Sequence, residues 1–368
     1  MLGLILCILI LPIGILSGMI LFKKNTIPHS KISNIKHGKI SVIIPARNEE
    51  KNLPRLLDSL FNQSVQPDEI IVVDDHSQDQ TKHIAEEYGV TTFTAPPLPA
   101  GWTGKNWAVW NGYLQSNGDI LLFLDADIQL AENAIQSLIS AQKRQSGVLS
   151  VVPYHRAEKF YEKFAMVLNI LGAFSFTSPF EKNNLQKGLY GACIVTTRDD
   201  YEKVGGHQMI RSEMLDDLNL GALFQNARIK VSNYIGTDLV SFRMYPNGIK
   251  SELEGFAKGA VLSTSSLHPL TLFSIILWII GLVSSQFCFL FFGSKYFIPL
   301  LIGYICFAIQ IFYINHYIGS FGIVHPCFHF LSMLFFLAVI VYSLYQSVFR
   351  KKVIWKGRYI QVGRGDQS

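Results

Sequence analysis

The chain is short of charge and of patterned cysteine, and it lacks both common glycine-rich phosphate motifs. Only 16% of its 368 residues are charged, against about a quarter in ordinary soluble domains. The five cysteines are Cys7, Cys193, Cys288, Cys306 and Cys327; four fall in apolar segments and none has metal-ligand spacing. A disulfide framework or a zinc site therefore does not organise the fold. No G-x-G-x-x-G follows the first strand-like run, which argues against a dinucleotide-dependent membrane oxidoreductase. Gly101-Trp102-Thr103-Gly104-Lys105-Asn106 is not a P-loop, because Asn106 follows the lysine and no glycine has the required upstream spacing. There is no internal repeat or low-complexity tract.

What the chain has instead is apolarity at its two ends. Mean hydropathy is +0.27. Residues 1–22 carry no charge, and Lys23 and Lys24 follow at once. Three more apolar runs lie at about 269–292, 297–317 and 327–348, each near the ~20 residues that span a bilayer as a helix. The first segment lacks the basic n-region and cleavage site of a signal peptide. This plan gives an N-terminal anchor at 1–22, a catalytic domain at 39–260, a membrane region at 269–348 and a tail at 349–368. Basic residues after the anchor (Lys23, Lys24, Lys31, Lys36, Lys39) place the central domain in the cytoplasm of a multi-pass cell-membrane protein. The basic tail also reads as cytoplasmic, although three crossings would leave it outside. Either one late segment is re-entrant or interfacial, or residues 163–180 enter the membrane too. Residues 160–180 have the look of an interfacial amphipathic helix, and His325–His329 that of a loop leading into a membrane helix. The net charge of +5 flanks membrane segments and suits anionic headgroups, not nucleic acid.

The central stretch alternates strand and helix patterns. Strand-like runs occur at Lys39–Ile44, Glu69–Val73, Val90–Thr94, Asp119–Leu124 and Gly147–Val152, with helical patterns from Arg47 to about Asn62, through about Tyr88, and over Ala131–Arg144. Such alternation predicts an α/β fold: an open, largely parallel sheet with helices on both faces, which gathers ligands at the carboxyl ends of its strands. Polar clusters fall at three of those ends: Pro45-Ala46-Arg47-Asn48-Glu49, Asp74-Asp75 and Asp125-Ala126-Asp127.

Each cluster has a chemical and a structural reading. Asp125 and Asp127 are spaced to offer oxygen to Mg2+ or Mn2+ that bridges a substrate diphosphate; the alternative is a capped turn before a helix. Asp74 and Asp75 could accept hydrogen bonds from a nucleobase and a ribose, or cap a helix. Arg47 and Glu49, with Pro45 and Ala46, could line the same nucleotide pocket, although Glu49 also suits a first helical turn. Lys105 could meet a diphosphate, unless its flanking tryptophans merely anchor the loop at a membrane interface. Asp216 and Asp217, in Met214–Gly221, are candidates for the base that deprotonates an acceptor, or are solvated acids opening a helix.

The ordered set SVIIPARNEE, IIVVDDHSQDQT, LDAD and LDDLNLG resembles family 2 glycosyltransferases over about residues 39–245. The resemblance implies a GT-A-like nucleotide-sugar domain, a divalent metal at the aspartate pair and inversion at the anomeric carbon. PLPAGWTGKNWA, VVPYH, FYEKF, GGH, FRMYPNGIKSELEGFAKG and WKGRYI are similar to a branch of hopanoid-associated and carotenoid glycosyltransferases. That branch implies a UDP-sugar donor, UDP-glucose, and a lipophilic acceptor, the carboxylate of a C30 carotenoid acid. Transfer to a hopanoid, a diacylglycerol or a polyprenyl phosphate is the alternative. The Q-x-x-R-W of processive synthases is missing, so single transfer is implied, with Asp217 ahead of Asp216 as base.

Overall fold

The computed structural model describes residues 2–29, 38–260, 266–346, 352–355 and 358–361. The chain divides into two compact units, one of Lys24–His155 with Glu181–Arg243, the other of Met1–Lys23, Arg156–Phe180 and Met244–Ser368.

The first unit is built on ten strands: β1 (Ile40–Ala46), β2 (Glu69–Asp74), β3 (Thr91–Thr94), β4 (Ile120–Leu124), β5 (Ile128–Leu130), β6 (Val148–Val152), β7 (Tyr154–His155), β8 (Cys193–Thr197), β9 (Val231–Ile235) and β10 (Val240–Phe242). Seven form one sheet in the order β3-β2-β1-β4-β8-β6-β9. β8 runs antiparallel to both neighbours and the other pairings are parallel. The expected α/β fold with a largely parallel sheet is therefore present. Every residue of β4, β6 and β9 is buried, which explains why these runs read as continuous apolarity and not as alternation. A small sheet, β5-β10-β7, completes the unit.

The topology makes the site. β1 lies between β2 and β4, so the chain winds away from β1 in both directions and leaves a crevice at the carboxyl ends of β1 and β4. The polar run after β1 is a turn, and its helix begins only at Leu53 and runs to Phe61. Asn48 is left-handed, with φ +54°, and Pro54 stands in the first turn, where its missing N–H costs no bond.

The second unit contains the N-terminal helix (Leu2–Leu21) and the helices Pro269–Gln286, Phe297–Ile318 and His329–Tyr345. Among the described residues, four helical stretches are long and apolar enough to cross a membrane: Tyr161–Lys182, Pro269–Leu290, Phe297–Ile318 and His325–Tyr345. A Cβ on Gly14 would stand 3.0 Å from the Gly281 Cα, so two backbones meet where neither carries a side chain, the usual means of close packing between membrane helices. Gln310 donates to the Ile15 carbonyl at 2.7 Å and accepts from Trp278 Nε1 at 2.9 Å. His325–Phe328 is a single 3-10 turn leading into His329–Tyr345, with His329 Nδ1 on the Pro326 carbonyl at 3.0 Å.

Tyr161–Lys182 connects β7 to β8, both in the first unit. A segment whose two flanks belong to one folded unit cannot carry the chain across a bilayer. It either enters and returns or lies in the plane of the surface.

Candidate active site

The loops that follow β1 and β2 are tied to each other. Arg47 Nη1 donates to the Asp75 carbonyl and lies 3.8 Å from the Asp75 carboxylate. The Asn48 N–H meets Ser77 Oγ at 3.0 Å, Asn48 Oδ1 accepts from the Gln78 N–H at 2.8 Å, and the Glu49 N–H meets Thr81 Oγ1 at 2.7 Å. Pro45 and Ala46 lie beside Val73 and Asp74 in register, and Ala46 accepts the Asp75 N–H at 2.8 Å. Asp74 and Asp75 are both 3% exposed. Asp74 Oδ1 takes the Ser77 N–H at 3.1 Å, while the helix Thr81–Glu87 starts further on without a side-chain cap. The two aspartates thus belong to a rigid loop wall and do not cap that helix. Glu49 accepts from Asn52 Nδ2 at 2.8 Å, so it also braces the turn before Leu53.

At the end of β4, the Asp125 N–H bonds Ala192 O at 3.0 Å and Asp125 O accepts from Ile128 at 3.2 Å. The turn leads into β5, and the next helix, Ala134–Gln145, is preceded by Asn133. Asp125 and Asp127 therefore do not cap a helix. The principal charged partner of Asp125 is Lys105, in the first turn of the helix Gly104–Gln115, with Nζ 2.9 Å from Asp125 Oδ1 and 3.6 Å from Asp216 Oδ2. Burial works against the ammonium, but Asp125 and then Asp216 outweigh it and hold Lys105 well above the ordinary lysine range.

The sequence did not single out what positions Lys105. Asn106 is fully buried, and its Nδ2 reaches the carbonyls of Ile210, Arg211 and Glu213 at 2.7, 3.4 and 3.2 Å. The Thr103 N–H adds a bond to Arg211 O at 2.8 Å. These bonds fasten the loop to the segment that delivers Asp216. Both tryptophans are half-buried: Trp102 lies 4.9 Å from Trp107, and Trp107 Nε1 donates to Pro96 O at 2.9 Å.

Asp216 and Asp217 open the helix Asp216–Asn226. Asp217 Oδ2 accepts from the Gly191 N–H at 3.1 Å and Oδ1 from the Leu218 N–H at 2.9 Å. Burial, then the neighbouring Asp216, push Asp217 up to about 6, against the pull of Lys105 and those two N–H groups. One cluster thus joins Lys105, Asp125, Asp216 and Asp217, while Arg47, Asp74 and Asp75 stand at the ends of β1 and β2.

The donor set bears on a metal. Among the described residues no three His, Cys, Asp or Glu gather in ligand geometry. Two carboxylates fit a hard, largely hydrated Mg2+ or Mn2+ that takes further oxygens from a diphosphate; they do not fit a closed zinc site.

Residues 41–205 match the glycosyl transferase family 2 domain. The chain belongs to that family and is an enzyme, a hexosyltransferase. It is similar to the 4,4'-diaponeurosporenoate glycosyltransferase of Staphylococcus haemolyticus, 34% identical over 334 residues and 88% of each chain. It is also similar to the protein of that name from Staphylococcus aureus, 29% identical over 356 residues, covering 94% of this chain and 95% of that one. In fold it resembles a mannosyltransferase from Pyrobaculum calidifontis solved with GDP-Man and Mn2+, with a TM-score of 0.54 and 14% identity, over 93% of this chain and 99% of the other.

Proposed function

We propose that this enzyme transfers a single glucose from UDP-glucose to the carboxylate of a C30 carotenoid acid, 4,4'-diaponeurosporenoate, with inversion at the anomeric carbon, at the cytoplasmic face of the cell membrane. The observation that carries the reading is the match of nearly the whole chain, late apolar helices included, to relatives of that name. The four long apolar helices among the described residues suit an enzyme whose acceptor is dissolved in lipid.

The division of labour follows from the site. Asp74, Asp75 and Arg47, with Pro45, Ala46 and Glu49, receive the nucleoside at the ends of β1 and β2. Asp125 and Asp127 would hold Mg2+ or Mn2+, which when bound offsets charge growing on the leaving diphosphate. Lys105 supplies a fixed cation to the same oxygens. Asp217, or Asp216 beside it, takes the proton from a hydroxyl acceptor. An acceptor that is already a carboxylate needs no base.

The test uses membranes containing the full chain, labelled UDP-glucose, Mn2+ and diaponeurosporenoic acid. The expected product is a glucosyl ester, lost in Asp127→Ala while the protein stays folded. If a hydroxyl lipid such as diacylglycerol is glucosylated and the carotenoid acid is untouched, the acceptor assignment is wrong.

A further inference from the structure

Gly205-Gly206-His207 has a backbone that needs explaining. Gly205 has φ +72° and Gly206 φ +52°, and a Cβ on Gly206 would meet the Tyr201 ring at 2.3 Å. Both conformation and space therefore require glycine at Gly206. The turn wraps the chain around one hydroxyl. Tyr201 Oη accepts the His207 backbone N–H at 3.0 Å and stands 2.8 Å from His207 Nδ1. Tyr201 is fully buried, and no other hydrogen bond reaches its hydroxyl among the described residues. Its single proton has one acceptor to go to, Nδ1, because the opposite arrangement would orphan a buried O–H. With Nδ1 accepting, the ring proton of the neutral imidazole sits on Nε2.

The ring lies against Phe123, centroids 5.5 Å apart, on the strand that ends at Asp125. Its charged neighbours are Asp216 and Lys105; burial outweighs Asp216, and with Lys105 it holds the imidazole down at about 4. No protein group bonds Nε2 among the described residues, nor is it one of the buried polar atoms left without a partner. His207 is only 3% exposed, so this neutral N–H sits at a narrow opening with no protein acceptor among the described residues. In the strand order, Tyr201 follows β8, on the opposite side of β4 from β1 and β2, the strands assigned to the nucleoside.

We propose that His207 Nε2–H binds the acceptor carboxylate through the oxygen that does not attack. The inference rests on the reading of the acceptor as a carboxylic acid. The other carboxylate oxygen forms its bond to the anomeric carbon as the bond from that carbon to the diphosphate oxygen breaks. The electron pair leaves with UDP, and no proton changes hands. A neutral donor suits this step, since it orients the nucleophile without the full positive charge that would damp it.

The experiment measures steady-state kinetics of the full-length enzyme in membranes, with KM determined separately for diaponeurosporenoate and for UDP-glucose. His207→Phe keeps a ring against Phe123 and loses the donor. It should raise the acceptor KM roughly tenfold or more, with the UDP-glucose KM within about twofold, and His207→Gln should restore most of the loss. Tyr201→Phe leaves the imidazole but frees its tautomer, and should raise the acceptor KM to a smaller degree. An unchanged acceptor KM in either His207→Phe or Tyr201→Phe overturns the proposal, as does a shift confined to the UDP-glucose KM. Wild-type enzyme inert toward the acid overturns both this inference and the acceptor assignment, whereas active wild type with an indifferent His207→Phe overturns this inference alone.

Discussion

At the proposed metal site, Lys105 and a divalent cation would compete for the same carboxylate oxygen, so removing Lys105 should move metal binding and turnover in opposite directions. At 2.9 Å from Asp125 Oδ1, the ammonium has a gross attraction of about 6 kcal/mol at an effective dielectric near 20. The pair is 26% and 33% exposed, so solvent screens much of this, and about 1.5–3 kcal/mol net is reasonable for a charge-assisted hydrogen bond. The Asp216 contact at 3.6 Å carries about four-fifths of that Coulomb attraction. In Lys105→Met the carboxylates lose their resident cation. Without UDP-glucose, Mn2+ should then bind roughly 10- to 100-fold more tightly, as read by the electron paramagnetic resonance signal of free Mn2+ during titration. Turnover should fall about 10²- to 10³-fold, the usual cost of one preorganised group facing developing charge. Weaker Mn2+ binding, or full turnover, would refute the assignment of Lys105 as both placeholder and diphosphate contact.

Other consequences are open to direct measurement. Asp217 is raised from 3.8 to about 6, and a base works only when deprotonated; with a hydroxyl acceptor, kcat should fall tenfold per pH unit below about 6. With a carotenoid acid that limb should vanish, which a pH series with both acceptors would reveal. Glu252 is 1% exposed, neither of its carboxyl oxygens has a hydrogen-bond partner among the described residues, and burial, then Glu162, push it from 4.5 up to about 8. Between those values the folded state keeps a proton that the unfolded state has lost, so stability declines as pH rises. Glu252→Gln should flatten that decline in thermal unfolding at pH 5, 6.5 and 8, and an unaltered slope would count against it. Gly281→Leu, placed where Gly14 Cα and Phe307 lie 3.0 Å from a new Cβ, should cost about 1–3 kcal/mol by overpacking, seen as a lower Tm in detergent.

The strand ends were legible because apolar runs stop at carboxylates: Ile120–Leu124 at Asp125, and Glu69–Val73 at Asp74. A parallel sheet also follows from alternation alone. The antiparallel insertion of β8 between β4 and β6 does not, since pairing partners 70 residues apart leave no local periodic trace. The ion pairs of Lys105 were hidden for a similar reason. They depend on Asn106 seizing carbonyls a hundred residues away, which no spacing rule encodes. The GGH turn carried a readable signal, two consecutive glycines, but its meaning required Tyr201 to be placed beside them.

The excursion between β7 and β8 bears on how the protein is made. During synthesis Tyr161–Lys182 leaves the ribosome before β8 and β9 exist, while the central sheet still has open edges. This apolar segment is thus complete before the strands that flank it on its C-terminal side are made. A chain cut after β10 to remove the three late apolar helices would still carry a 22-residue apolar stretch between β7 and β8. Shortening the protein from its C-terminus alone leaves that stretch in place.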